Sequence, residues 1–176
     1  SLVVPRPIGW ISTWGPDRVA NLAPFSYFAA LSASPMLVGV SVGQKPDGPK
    51  DTLANLRTAG AFCCNVVSEP LLEAMNETSA SVPPTVDEFA LAGLRRGQST
   101  RVDAPFVAEA PAVLECVVRQ EVDLGEAPNT LVIGEVVGVL LDESLPVEDG
   151  TLSVLPEALR PVGRLAGAAY ALPGAL

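Results

Sequence analysis

The chain has 176 residues, a formal charge of −9, 48% hydrophobic and 18% charged residues, three cysteines and no histidine. That length is one domain with a sizeable core, and the apolar balance excludes intrinsic disorder. Without histidine, Ser-His-Asp and Cys-His nucleophile systems, histidine metal sites and a histidine general base are excluded.

In chain order, Val3 to Thr13 reads as extended, with Pro5 and Pro7 opposing a helical start, and Gly15-Pro-Asp-Arg18 reads as a turn. Met36 to Val42 is rich in β-branched residues and predicts a strand, followed by a Gly/Pro loop from Gly43 to Pro49. Lys50 to Thr58 predicts a short helix, with Asp51 or Thr52 as N-cap and Gly60 closing it. Phe62 to Val67 follows as a strand, Pro70 to Glu77 as a helix and residues 83–93 as a second small helix.

Two long strands dominate the second half. In the first, Leu114, Cys116, Val118, Val122 and Leu124 alternate with Glu115, Arg119 and Glu121, and Gln120 interrupts the apolar face. In the second, Thr130 to Leu141, Glu135 stands alone among apolar residues, so this strand is expected inside a sheet. Many strands with few short helices and no βαβα rhythm predict a mainly β single domain, a barrel or sandwich with helical decoration.

Charge is uneven along the chain. Residues 1–60 carry five basic groups against three acidic ones, and the remainder carries six against seventeen. Overall acidity excludes nonspecific nucleic-acid binding, while the first third favours a small anion. No apolar stretch reaches the roughly 18–20 residues of a membrane-spanning helix, so no membrane partner is expected. Adjacent Cys63 and Cys64 with distant Cys116 form neither a disulfide framework nor a zinc pattern, which fits a reducing cytoplasm. The chain starts at Ser1, so a lead-in segment is expected to precede it.

Neither G-x-x-x-x-G-K-[ST] nor G-x-G-x-x-G is present. Three polar clusters stand out instead: Arg6-Pro-Ile-Gly-Trp-Ile-Ser-Thr13, then Asn21-Leu-Ala-Pro-Phe-Ser-Tyr27, where polar groups end an apolar loop, then Lys50-Asp-Thr52. The third suits ordinary helix capping, and equally a phosphate site, because helix N-terminal N–H groups and the dipole favour an anion.

These clusters, with Asn65-Val-Val-Ser68, Met75-Asn-Glu-Thr-Ser79, Asp87-Glu-Phe89, Ala92-Gly-Leu94, Leu114-Glu-Cys116, Ile133-Gly-Glu-Val136 and Arg164-Leu-Ala-Gly-Ala-Ala-Tyr170, resemble in order the flavin reductase-like family of FMN-binding split barrels. The resemblance implies a six-stranded antiparallel Greek-key barrel and a homodimer with FMN near the subunit interface. It places Asn21, Leu22, Ala23, Pro24, Phe25 and Ser26 along the isoalloxazine, with Arg6, Ser12 and Thr13 bordering the pocket. Ser41, Lys50, Asp51 and Thr52 surround the ribityl phosphate, and Tyr170 closes over the flavin or anchors the tail. The family pattern carries a histidine after Gly-Glu-Val-Val, where this chain has Leu140.

The activity so implied is an NAD(P)H:flavin oxidoreductase whose chemistry resides in the flavin and needs no catalytic side chain or metal, with a monooxygenase as a candidate partner. Two alternatives stand beside it: a flavin electron carrier serving a protein partner, and a split barrel holding another cofactor. Trp10 and Trp14 suit core or interface packing as well as flavin stacking, and Glu135 suits a buried arginine partner.

Overall fold

The computed structural model describes residues 2–46, 48–125, 129–147 and 153–174. Its principal sheet is built from β1 (Gly9–Trp14), β2 (Ala20–Phe25), β3 (Phe28–Ala33), β4 (Met36–Val42), β5 (Ala61–Asn65), β6 (Ala112–Asp123) and β7 (Thr130–Leu141). Among the described residues these seven strands run in the order β2-β1-β5-β6-β7-β4-β3, and every ladder is antiparallel. The mainly β fold is therefore the expected one, with seven strands in the sheet where the resemblance implies six.

One connection dictates the shape. β2 and β3 lie at opposite edges of the sheet, yet Ser26 and Tyr27 alone separate them in sequence. The three Cα steps from Phe25 to Phe28 span at most about 11 Å, so the sheet must curl until its edges come together. Register shifts in β6 between Glu115 and Cys116, and between Val118 and Gln120, supply local twist for that curl.

The curl encloses one apolar cluster. Ile11, Phe25, Val38, Val40, Leu53, Leu56, Phe62, Cys116 and Val132 come from six strands and α1 (Asp51–Ala59), and all are buried. Such a set meets only across a closed sheet. Phe62 lies over Gly134, where a Cβ would sit 2.5 Å from the ring, so β7 needs glycine there. A second cluster on the other strand faces gathers Trp10, Leu22, Cys63, Met75, Phe89 and Val113. α2 (Leu72–Glu77) and α3 (Glu88–Leu91) close over it with Met75 and Phe89.

Several sequence expectations shift. The segment from Asn21 is a strand rather than a loop, and Pro24 is tolerated in it because β2 is an edge strand. The helix expected over 83–93 shortens to Glu88–Leu91, since Pro83 and Pro84 hold the approach in a turn and Asp87 caps Phe89 and Ala90 N–H. Glu115 is buried rather than on a polar face, because the adjacent register shift turns it inward to accept from Ser99. β7 is internal as expected, and Glu135 pairs with Arg119, an exposed partner. Gly43 to Pro49 contains a small ladder, Gln44–Lys45 against Gly48–Pro49.

Candidate functional site

α1 begins without a side-chain cap. Lys50, not Asp51 or Thr52, occupies the N-cap, with φ −61° and ψ 151°, and no side chain bonds the first turn. The Asp51 carboxylate instead takes the Lys45 ammonium at 2.6 Å. The Thr52 hydroxyl donates to Asn21 Oδ1 at 2.8 Å. The first N–H groups of a nine-residue helix thus lack intrahelical acceptors beside two lysines. Gly60, at φ 66°, closes the helix as expected.

Two adjoining cavities open here, of about 250 and 490 Å3. Pro24, Phe25 and Lys50 border both. The first adds Asn21, Ala23, Lys45, Asp51, Thr52 and Glu88, and the second adds Ser26, Tyr27, Ser41 and Asn129. The Lys50 ammonium stands 5.6 Å from the centroid of the Phe25 ring. Nine of the expected site residues, Asn21, Ala23, Pro24, Phe25, Ser26, Ser41, Lys50, Asp51 and Thr52, therefore meet around one composite cavity.

The other expected residues lie elsewhere. Leu22 packs in the core. Ser12 is buried, donating to Pro105 O at 2.6 Å and accepting from Asn65 Nδ2 at 3.0 Å. Thr13 donates to Asn21 Oδ1 at 3.2 Å, behind β2. Arg6 lines a separate groove and donates from Nε to Ser26 O at 3.0 Å. Tyr170 donates to Asn76 Oδ1 at 3.0 Å and anchors the tail. Trp10 is a core residue whose Nε1 donates to Thr78, Trp14 lies under Arg18, and Leu140 packs against the cluster around Trp10.

Sequence reasoning missed Lys45 and Glu88 as cavity residues. Lys45 is one of only two lysines in the chain, and that scarcity was the available signal. Glu88 lies in a motif of the resemblance without an assigned role. Burial raises its carboxyl above the ordinary value, while hydrogen bonds from Leu22 N and Asn21 pull the other way. Cys63 and Cys64 are pushed up to about 12 by burial, and burial raises Cys116 as well, so none of the three is a ready nucleophile. Among the described residues, no helix is long and apolar enough to cross a membrane, and no cluster of metal ligands occurs.

A curled antiparallel sheet with a polar cavity at its meeting edges is a split barrel. Residues 2–157 match the profile of the flavin reductase like domain, and the chain belongs to that family. It is 42% identical to an uncharacterized protein of Halalkalibacterium halodurans over 96% of this chain and 81% of that one. The structure is similar to nitrilotriacetate monooxygenase component B from Bacillus cereus, with TM-score 0.94 and 34% identity, covering 100% of this chain and 88% of that one. It also resembles a Shewanella frigidimarina protein with a split barrel domain, with TM-score 0.88 and 26% identity over 100% and 86% of the two chains. These relationships define a flavin oxidoreductase of split-barrel type.

Proposed function

We propose that the protein binds FMN in the composite cavity and reduces it with NADH or NADPH. The observation that carries this reading is the uncapped start of α1 with Lys50, lining the same composite cavity as Ala23, Pro24, Phe25 and Ser26. Lys50 and the first-turn N–H groups are the natural seat of a phosphate monoester. Ser41 and Ser26 add hydroxyls along the adjoining cavity, and Phe25 gives it an apolar wall. The donor set fits FMN: one anionic end, one planar ring.

When bound, the flavin supplies the redox chemistry, accepting hydride from a reduced nicotinamide and passing electrons onward. The chain's own residues bind and orient. β2 fixes one edge of the ring site, because its ladder with β1 holds the segment from Asn21 to Phe25 in register. No side-chain acid or base is required, which agrees with a sequence lacking histidine.

A second copy is the proposed cover for the exposed apolar residues Tyr27, Leu31 and Met36 along the β3–β4 edge. The likeness to a monooxygenase component supports a role in supplying reduced flavin to such an enzyme. Sedimentation equilibrium at micromolar concentration tests the dimer, and a monomer that still binds FMN overturns it.

The decisive experiment is anaerobic stopped-flow reduction with FMN saturating, using NADH and NADPH separately. Bleaching of the oxidised flavin band within seconds is expected with at least one donor. A protein that binds FMN but is reduced by neither within minutes overturns the reductase reading in favour of an electron carrier.

A further inference from the structure

Behind the cavity runs a buried chain of hydrogen bonds ending on a carboxylate. Glu88 is 6% exposed. Its Oε1 accepts from Asn21 Nδ2 at 3.0 Å and its Oε2 from Leu22 N at 3.1 Å. Asn21 Oδ1 then accepts from Thr52 Oγ1 at 2.8 Å and from Thr13 Oγ1 at 3.2 Å. Thr13 Oγ1 in turn accepts from Asn55 Nδ2 at 3.0 Å. The chain ties together β1, β2, α1 and α3.

Its direction is set at one end. Leu22 N–H is a backbone donor that cannot be reversed, and a carboxylate offers acceptors alone. The Asn21 amino group must therefore face Glu88, which turns the Asn21 carbonyl toward the two threonines. Each hydroxyl has one proton, and both are spent on Asn21. Thr52 lies in the first turn of α1, so its bond joins the two walls of the cavity, Asn21 to Phe25 on one side and Lys50 to Thr52 on the other.

We propose that Glu88 is a positioning residue for the cofactor: by fixing the orientation of Asn21 it clamps the start of α1 to β2 and sets the spacing between the ring wall and the phosphate wall. This role rests on the FMN reading above. The charged groups sharing that cavity are Lys45, Lys50 and Asp51, and Asp87 beside Glu88 is held by Arg96. Among the described residues none of them donates to the Glu88 carboxylate, so Glu88 acts through the neutral donors Asn21 Nδ2 and Leu22 N.

Glu88→Gln exposes the logic. Glutamine keeps an oxygen on Leu22 N–H and sets its amino group against that of Asn21. Asn21 must then separate or flip, and a flip leaves the proton of buried Thr13 without its acceptor. FMN spans both walls, whereas riboflavin, lacking phosphate, does not engage Lys50 to Thr52.

The test measures dissociation constants for FMN and riboflavin by flavin fluorescence, with circular dichroism confirming the fold. Three proteins are compared: wild type, Glu88→Gln, and the double variant Asn21→Asp with Glu88→Gln. In the double variant every link regains a donor and an acceptor at unchanged net charge. The single variant is expected to weaken FMN roughly tenfold and riboflavin less than about threefold. The double, fully paired again but with its charge now at position 21 on the cavity wall, is expected to bind FMN at least about threefold more tightly than the single variant.

Wild-type FMN affinity in Glu88→Gln overturns the role, as does equal loss for both ligands without rescue. If the single variant fails to fold, the double decides: a folded protein that still binds FMN more tightly than riboflavin supports the role, and a misfolded one overturns it. Wild-type protein that binds no FMN overturns the cofactor reading itself, before any variant is compared.

Discussion

Between Pro5–Ile8 and the chain from Pro156 to Gly174 runs a groove of about 750 Å3, lined by Phe28, Leu114, Val162 and Leu172 among others. Around Lys50 lie the two smaller cavities, of about 250 and 490 Å3. The groove is larger than either cavity and about equal to the two together, and its charged lining is Arg6 and Glu157 alone among the described residues. The Lys50 cavities offer two ammonium groups, hydroxyls and an uncapped helix start. Volume measures how much apolar surface a concavity can bury, whereas polar donors decide whether it holds an anion. For a cofactor with a phosphate, the composite cavity at Lys50 is the better site.

The polar cavities depend most on the apolar cluster beneath them. Phe25 forms their wall, and it packs in the same enclosed cluster as Phe62 and Leu53. Phe62→Ala is expected to cost about 3–5 kcal/mol of folding stability, through lost burial and the cavity left above Gly134. Urea unfolding followed by circular dichroism measures it. A loss below about 1 kcal/mol would mean that the cluster collapses freely and does not brace the site.

Lys50 sharpens the contrast in chemistry. Lys50→Ala removes one cation from a site that still has Lys45 and the helix start. The expected loss is about 1–3 kcal/mol in FMN affinity, roughly 5- to 150-fold, with riboflavin changed less than about threefold. Titration calorimetry with both ligands separates the two. Equal losses would place Lys50 in folding rather than phosphate recognition.

How these features were written in the sequence differs between the two places. The Lys50 cluster was legible because lysine is scarce here and because Gly43 to Pro49 leads into a helix start. The capping detail was not, since Asp51 and Thr52 are good caps by type and only tertiary contacts with Lys45 and Asn21 take them away. The resemblance places Ser12 and Thr13 at the border of the pocket. They point to opposite faces of β1, and both faces are covered, so Ser12 is taken up by Asn65 and Thr13 by Asn21. Glu88 was invisible as a cavity residue, because its partners Asn21 and Leu22 lie 67 and 66 residues away. The curl of the sheet was only half legible: the strands could be read, but an edge-to-edge return through Ser26 and Tyr27 depends on pairing order. The apolar groove left no signal, because its walls come from Pro5–Ile8 and Pro156–Gly174, opposite ends of the chain.

That groove supplies the smallest expected effect and the sharpest control. Leu172 is 48% exposed and lines it near the end of the described chain. Leu172→Ser trims apolar lining while leaving Lys50, Phe25 and the Glu88 chain untouched. A half-exposed side chain contributes little burial, so stability should change by no more than about 0.5 kcal/mol. FMN affinity should stay within about twofold of wild type, because none of the donors that hold a phosphate belongs to the groove. The same calorimetric titration used for Lys50→Ala checks this. A loss of tenfold or more would show that the groove and the Lys50 cavities work as one site. Arg6 would then be the link, since it lines the groove and donates to the backbone of Ser26 at the cavity wall.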